Sequence, residues 1–185
     1  MKAGVLALQG DFREHAHMFA EAGATPVEVR TPAHLSDVDC LAIPGGESTT
    51  IGTLARAYDL VEPVRERAAA GMPILGTCAG MIVLARTVLG GEPLFALMDV
   101  TVRRNAYGRQ VDSFEADLDV DGIEHPVRGV FIRAPWIEQV GIGVRVLAEH
   151  EGRPVVLEQG NLLAASVHPE LVGETGLHRY LLGKA

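Results

Sequence analysis

The chain has 185 residues, 48% of them apolar, and a formal net charge of −8. A chain of this size can bury a sizeable hydrophobic core, and we expect a single domain over residues 1–185. The negative charge and the lack of a Lys/Arg cluster argue against a nucleic-acid partner. We also expect neither a signal sequence nor a transmembrane helix, because the first apolar run stops at Gln9 and no run of about 18 apolar residues follows.

The cysteine and histidine content points to a cytoplasmic protein without a metal site. Cys40 and Cys78 are the only cysteines, which is too few for a disulfide framework. Cys40 lies in an apolar run, so we expect it to be buried and unreactive. The sequence has no HExxH, CxxC or carboxylate-rich metal loop, and we expect no metal or cofactor. His15 and His17 are two residues apart and are predicted to be ordinary helix residues.

The first half of the chain alternates short apolar runs with helical segments. Predicted strands cover residues 2–8, 26–30, 40–43 and 73–77. Predicted helices cover residues 12–22, a segment that Ser48 or Thr49 caps and Pro63 interrupts, residues 63–70, and residues 79–89. This β-α-β order with apolar strands predicts a three-layer α/β sandwich around a mostly parallel central sheet.

The second half has a different texture, with short strands separated by turn signals. We predict strands at residues 100–102, 113–118, 130–132, 145–149, 155–158 and 162–167, and a last helix at residues 174–182. Residues 152–154 and 159–161 are predicted hairpin turns. The C-terminal half should therefore add antiparallel hairpins to the sheet.

The segment Gly76-Thr77-Cys78-Ala79-Gly80 connects a predicted strand directly to a predicted helix. This G-x-C-x-G pattern is typical of a nucleophile elbow in which a thiol replaces the usual hydroxyl. Glycines at positions 76 and 80 allow close backbone packing around the turn. The turn places the thiol at the end of a strand and at a helix N-terminus, where the dipole favours thiolate over thiol.

A candidate base and its orienting group occur about 90 residues later, in His168-Pro169-Glu170. His168 follows an apolar strand, so it should emerge at a strand end, as Cys78 does. Residues i and i+2 of an extended segment point the same way. Glu170 can therefore accept a hydrogen bond from one imidazole nitrogen while the other nitrogen faces the sulfur.

These motifs resemble those of the class I (triad) glutamine amidotransferases, whose sheet is flavodoxin-like. Residues 4–11, 44–50, 104–114 and 131–135 make the chain more narrowly similar to the glutaminase subunits of pyridoxal 5'-phosphate synthase. The resemblance implies that Cys78 attacks the side-chain amide of L-glutamine, that His168 acts as base and acid, and that Glu170 holds His168. It implies an oxyanion hole made by the Gly46 and Ala79 amides. It places the glutamine against Gly46, Glu47, Ser48, Ala79, Arg104, Ile132 and Arg133.

An arginine suits the α-carboxylate of glutamine, because its guanidinium can form a bidentate, charge-assisted pair. The sequence leaves open whether Arg104 or Arg133 does so. The resemblance also implies a partner that uses the ammonia, a (β/α)₈-barrel synthase subunit joining it to a pentose phosphate and a triose phosphate. Pyridoxal phosphate is then the partner's product rather than a cofactor of this chain. Residues 9–11 are expected near that interface.

Three other interpretations remain open from the sequence. The chain could be the glutaminase of a different synthase. It could be a cysteine hydrolase of the DJ-1/PfpI-like group, although there a histidine commonly follows the cysteine directly, where this chain has Ala79. It could also be an inactive regulatory subunit, which the intact Cys78, His168 and Glu170 argue against.

Overall fold

The computed structural model describes residues 1–104 and 113–185. Its central sheet has seven strands in the spatial order β10-β11-β12-β4-β3-β1-β2. The strands of this sheet are β1 (Lys2–Leu6), β2 (Thr25–Val29), β3 (Cys40–Ile43), β4 (Ile74–Thr77), β10 (Arg145–His150), β11 (Arg153–Gln159) and β12 (Leu162–Ala165). The neighbours from β2 to β12 pair in parallel, whereas β10 and β11 form an antiparallel hairpin edge. The predicted mostly parallel sheet with C-terminal antiparallel strands is confirmed.

Two small sheets complete the β structure of the described residues. One joins β5 (Ala85–Leu89), β6 (Met98–Arg103) and β9 (Trp136–Val140). The other joins β7 (Phe114–Leu118) and β8 (Val127–Phe131) as an antiparallel pair.

Helices cover both faces of the central sheet. They are α1 (Phe12–Glu21), α2 (Pro32–Ser36), α3 (Ser48–Ala57), α4 (Val61–Ala69), α5 (Ala79–Leu84), α6 (Gly176–Leu182) and a 3₁₀ turn at Glu170–Val172. Side chains alternate across β3, so that Cys40 and Ala42 join the core under α1 and α6. Leu41 and Ile43 join the core under the helices α2 to α5. The result is the expected three-layer sandwich.

The predicted helix over residues 79–89 is half wrong. Helix α5 stops at Leu84, and Ala85 takes up an extended backbone with φ −63° and ψ 141°. The chain continues as β5, which pairs in parallel with β6. The β-branched Thr87 and Val88 favour a strand, and this preference outweighed the apolar continuity that suggested one long helix.

The helix starts around residues 47–63 also differ from the prediction. Glu47 caps α3, and its carboxylate accepts hydrogen bonds from the Thr49 and Thr50 amides, so neither Ser48 nor Thr49 is the cap. The break between α3 and α4 lies at residues 58–60, where Asp59 has a φ of 54°. Pro63 therefore sits in the first turn of α4, where a missing amide hydrogen costs no hydrogen bond.

Several other elements are shorter than predicted, are shifted along the chain or were not predicted. The elements α2 and β9 were not predicted, and β12 ends at Ala165 rather than at residue 167. The first hairpin turn lies one step earlier than predicted, since Glu151 and Gly152 have the positive φ values and β11 begins at Arg153. Within the described residues, no helix is both long and apolar enough to cross a bilayer.

The parallel arrangement places four chain segments at one edge of the sheet. β1, β3, β4 and β12 are neighbours and run in the same direction, so their carboxyl ends meet there. The segments that follow these strands contain Asp11, Gly46, Cys78 and His168, respectively. This edge is where parallel α/β sheets generally bind ligands.

Candidate active site

Cys78 occupies a strained turn between β4 and α5. Its φ of 49° and ψ of −103° are unusual for a residue with a side chain, and such conformations cost on the order of 1–3 kcal/mol. The Cys78 amide donates to the Ala165 carbonyl oxygen at 2.8 Å, which ties the turn to β12. A Cβ on Gly80 would lie 2.0 Å from the Ile43 carbonyl oxygen, so the glycine here is required by close packing. The elbow is therefore present as predicted.

His168 reaches the same edge through a short bridge to a second sheet. Its amide donates to the Val130 carbonyl oxygen at 2.9 Å, and the Val130 amide donates back at 3.2 Å. This bridge fixes the backbone of His168 beside β8. The side chain is nearly buried and lines the same cavity as Cys78.

The imidazole of His168 has two carboxylate partners. Its Nδ1 lies 2.7 Å from Glu170 Oε1 and 2.9 Å from Asp11 Oδ2. Since carboxylates only accept, Nδ1 carries a hydrogen, which leaves Nε2 as the ring nitrogen available to Cys78, a residue that lines the same cavity. Burial by itself lowers the pKa of His168, but the hydrogen bonds with Asp11 and Glu170 and the neighbouring Cys78 outweigh it and raise that pKa well above its ordinary value.

Glu47 organises the opposite wall of the site. Besides capping α3, its Oε1 pairs with Arg104 Nη2 at 3.0 Å. Burial opposes ionisation, yet the hydrogen bonds from Thr49 and Thr50 together outweigh it and lower the pKa of Glu47 to about 2. The Glu47 carboxylate is therefore ionised at neutral pH and is held by both the helix and the arginine.

The Gly46 backbone adopts a conformation that favours glycine, with a φ of 137°. A Cβ on Gly46 would lie 2.4 Å from Gln9 Oε1. The same Gln9 oxygen accepts a hydrogen bond from the Glu47 amide at 2.7 Å. The loop after β1 thus helps to fix the backbone conformation of the loop after β3.

A cavity of about 290 Å³ joins these walls. All the predicted glutamine-binding residues line it, together with two of the three predicted catalytic residues; the set is Gly46, Glu47, Ser48, Cys78, Ala79, Arg104, Ile132, Arg133 and His168. Glu170 lies behind His168, fully buried, as an orienting group should. Of the sequence motif 104–114, residues 105–112 lie outside the described part of the chain.

Sequence reasoning missed the polar groups behind the site. Asp11 was expected only near an interface, yet it contacts His168. His15 is not an ordinary helix residue, because it is fully buried, with Nε2 2.9 Å from Thr77 Oγ1 and Nδ1 2.8 Å from His178 Nε2. His17 is exposed beside Glu21, as expected. No sequence signal separates these two histidines, since their burial depends on where α6 packs.

The second cysteine behaves as predicted. Cys40 is fully buried in β3. Burial, aided by the negative charge of Asp39, raises the pKa of its thiol to about 12. Such a thiol is unreactive at neutral pH.

Comparison with known proteins agrees with this geometry. The model of the SNO glutamine amidotransferase family matches residues 5–184. The chain belongs to this family. The match confirms the resemblance seen in the motifs, and it sets aside the DJ-1/PfpI-like interpretation.

Several known proteins resemble this chain over nearly its full length. The pyridoxal 5'-phosphate synthase subunit PdxT of Frankia alni is 57% identical over 182 residues, which cover 96% of this chain and 92% of that protein. The PdxT subunit of Pelotomaculum thermopropionicum is 55% identical, covering 100% of this chain and 95% of that protein. A crystal structure of a glutamine amidotransferase is 49% identical and has a TM-score of 0.93, covering 98% of this chain and 97% of that one.

The Gly45–His168 contact generates a first prediction. A Cβ at position 45 would lie 2.1 Å from His168 Cε1, and the ring cannot retreat without losing Asp11 or Glu170. We expect Gly45→Ala to lower kcat/KM for glutamine by about 10²-fold, the scale set by a displacement of roughly 1 Å at a reacting group.

Gly183→Ala is the control for this substitution. Position 183 has an ordinary helical backbone, and the nearest atom to an added Cβ is 3.4 Å away. It should leave kcat/KM unchanged. Wild-type rates in a correctly folded Gly45→Ala variant would show that His168 is not held as tightly as described.

Proposed function

We propose that this chain hydrolyses L-glutamine to L-glutamate and ammonia as the glutaminase subunit of a pyridoxal 5'-phosphate synthase. The observation that carries the proposal is the thiol of Cys78 on a strained elbow, in one cavity with an imidazole whose Nδ1 is held by two carboxylates. The synthase assignment rests on the PdxT relatives, which are 55–57% identical to this chain over nearly its full length.

The order of the catalytic steps follows from the charges on Cys78 and His168. The pKa of His168 is raised well above its ordinary value, which favours the protonated ring, and in the proposed mechanism this ring serves the Cys78 thiolate as its proton donor. The thiolate attacks the δ-carbonyl carbon of glutamine and forms a tetrahedral oxyanion. The His168 proton then goes to the leaving nitrogen, the C–N bond breaks, and ammonia and a γ-glutamyl thioester result.

The second half of the reaction returns the site to its starting state. His168, now neutral, takes a proton from water as the water oxygen attacks the thioester carbon. Collapse of the second tetrahedral species breaks the C–S bond and releases glutamate. The amides of Gly46 and Ala79, which both line the cavity, are proposed to stabilise the oxyanion in both steps. Glu170 keeps the imidazole of His168 in the tautomer that these proton transfers require.

Glutamine recognition is proposed to use the charged rim of the cavity. Arg133 follows β8 with a φ of 45°, is exposed, and has no ion pair with any described residue. Arg104 is already paired with Glu47. Arg133 is therefore the better candidate for the α-carboxylate of glutamine, while Gly46, Glu47, Ser48 and Ile132 shape the rest of the pocket.

The ammonia needs an acceptor, and the proposed one is a (β/α)₈-barrel synthase subunit. The PdxT relatives are subunits of a pyridoxal 5'-phosphate synthase, which implies a partner chain. We propose that the whole chain, residues 1–185, acts as one amidotransferase domain in that complex. We also place the complex in the cytoplasm, where free thiols such as Cys40 and Cys78 stay reduced.

Replacing the nucleophile tests the reaction directly. We expect Cys78→Ser to lower kcat for glutamine hydrolysis by at least about 10³-fold, because the covalent step is lost while the fold keeps its packing. The measurement is ammonia release in the presence of the synthase subunit.

The second cysteine supplies the control. Cys40→Ala should retain glutaminase activity, and iodoacetamide should label Cys78 but not the buried Cys40. Substantial activity in Cys78→Ser would rule out the proposed nucleophile.

Replacing the two arginines tests substrate recognition. Arg133→Gln should raise KM for glutamine by about 10- to 100-fold with a smaller change in kcat, because a charge-assisted bond to the substrate is worth roughly 1.5–3 kcal/mol. Arg104→Gln should have the smaller effect on KM, since its guanidinium is engaged by Glu47. The reverse order of effects would assign the carboxylate to Arg104.

A further expectation concerns the partner. The Gly45-Gly46 peptide has two residues without a Cβ, so the oxyanion-hole amide can rotate, and the isolated chain should be a poor glutaminase. Saturation with the cognate synthase subunit should raise kcat by roughly 10²–10³-fold, the worth of one oxyanion-hole donor. Equal rates with and without the partner would refute this gating.

A further inference from the structure

Asp11 stands at the N-cap of α1 but does not cap the helix. Aspartate at this position normally accepts a hydrogen bond from one of the first free amides of the helix. Here the Asp11 backbone is outside the usual N-cap region, with φ −87° and ψ 41°, and its side chain makes no capping bond. The helix thus forgoes a contribution of typically about 1 kcal/mol, and the carboxylate is available for another contact.

That contact is the imidazole of His168. Asp11 Oδ2 lies 2.9 Å from His168 Nδ1, and the same nitrogen lies 2.7 Å from Glu170 Oε1. The two carboxylates therefore share one N–H donor, approaching it from different elements. Asp11 comes from the loop after β1, whereas Glu170 comes from the 3₁₀ turn after β12.

The cost of burying Asp11 argues that this contact matters. Its Oδ1 is buried and has no hydrogen-bond partner among the described residues. One polar atom from each of Asp11, His15 and Glu170 lies within 4.8 Å of the other two. Two carboxylates this close repel each other unless a cation lies between them. A protonated His168 is the cation in that position.

The direction of the Asp11 pKa shift agrees with this charge balance. Burial raises the pKa of Asp11, but the hydrogen bond with His168 and the charge of His168 lower it below its ordinary value. The titratable groups that face this centre come from several elements: Asp11 and His15 from α1, Glu170 from the 3₁₀ turn, Cys78 from the elbow, and Glu47, Arg104 and Arg133 from the cavity rim.

We propose that Asp11 is a second positioning residue for His168, which shares the Nδ1 hydrogen with Glu170 so that either carboxylate alone can hold the ring. This proposal rests on the role of His168 in the proposed glutaminase. It predicts a site with four functional side chains in place of three, in which the orienting role is divided between Asp11 and Glu170.

If Asp11 and Glu170 share the orienting role, the effects of replacing them on kcat/KM should be strongly non-additive. Asp11→Asn and Glu170→Gln should each lower kcat/KM for glutamine by about 3- to 30-fold, since one carboxylate remains on Nδ1 in each variant. The double variant should lose at least about 10-fold more than the product of the two single losses, because no carboxylate is left to hold the protonated ring. Measured effects that simply multiply would overturn the shared role.

The pH profile separates positioning from a merely structural effect. Carboxylates raise the pKa of His168, so removing one lowers it, and the protonated ring is lost at a lower pH. The alkaline limb of kcat/KM should therefore move to lower pH in Asp11→Asn. The same shift should appear in the rate of Cys78 alkylation by iodoacetate, an anion that reacts faster while the ring is protonated. An unmoved alkaline limb in both measurements would overturn the proposal.

Glu14→Gln is the matched control. Glu14 also lies in the first turn of α1 and is exposed, so the substitution removes the same charge from the same helix end. It should leave the rates and the alkaline limb unchanged. If Asp11→Asn behaves like the wild type while Cys78→Ser is inactive, only the proposed role of Asp11 is rejected. If Cys78→Ser is active, the proposed glutaminase function is rejected as well.

Discussion

The positive-φ turn at Cys78 is the constraint on which the rest of the site depends. A residue with a side chain holds φ 49° and ψ −103° only where its surroundings enforce them. Here β4 lies in the middle of the sheet, and both neighbouring strands take part. β12 accepts the Cys78 amide, and the Ile43 carbonyl of β3 packs against Gly80. The position of the sulfur is therefore a property of the whole sheet.

Charge is the second organising feature, and it explains why buried polar groups surround His168. A buried imidazole is normally neutral, because burial penalises its charged form. In this site the hydrogen bonds with Asp11 and Glu170 and the neighbouring Cys78 reverse that tendency. Glu170 is itself completely buried, and a lone carboxylate there would be costly. The protonated ring and the carboxylates are thus stable together in a place where none of them would be stable alone.

Local sequence patterns predicted much of the fold and the position of the residues at the centre of the site. Apolar strands and the glycines of the elbow predicted a parallel sheet with Cys78 at its edge, since both signals are local. The motif around His168 predicted the Glu170 contact for the same reason. What escaped prediction was non-local. The strand β5 depends on pairing with β6, and the burial of His15 depends on where α6 packs. Glu47 displaced the expected caps because its longer side chain reaches two amides and Arg104 at once.

Hydrogen bonds of the buried His15 and His178 connect the site to the C-terminal helix α6. Burial and the neighbouring His15 lower the pKa of His178 well below its ordinary value, so His178 is neutral and offers one donor and one acceptor nitrogen. His15 bridges it to Thr77, the residue before Cys78, and approaches Glu170 Oε1 at 3.5 Å. The chain from α6 to the elbow therefore consists of groups whose hydrogen bonds constrain one another. All of this support lies behind Cys78 and His168, which leaves their other side open to the cavity where an amide substrate has to approach.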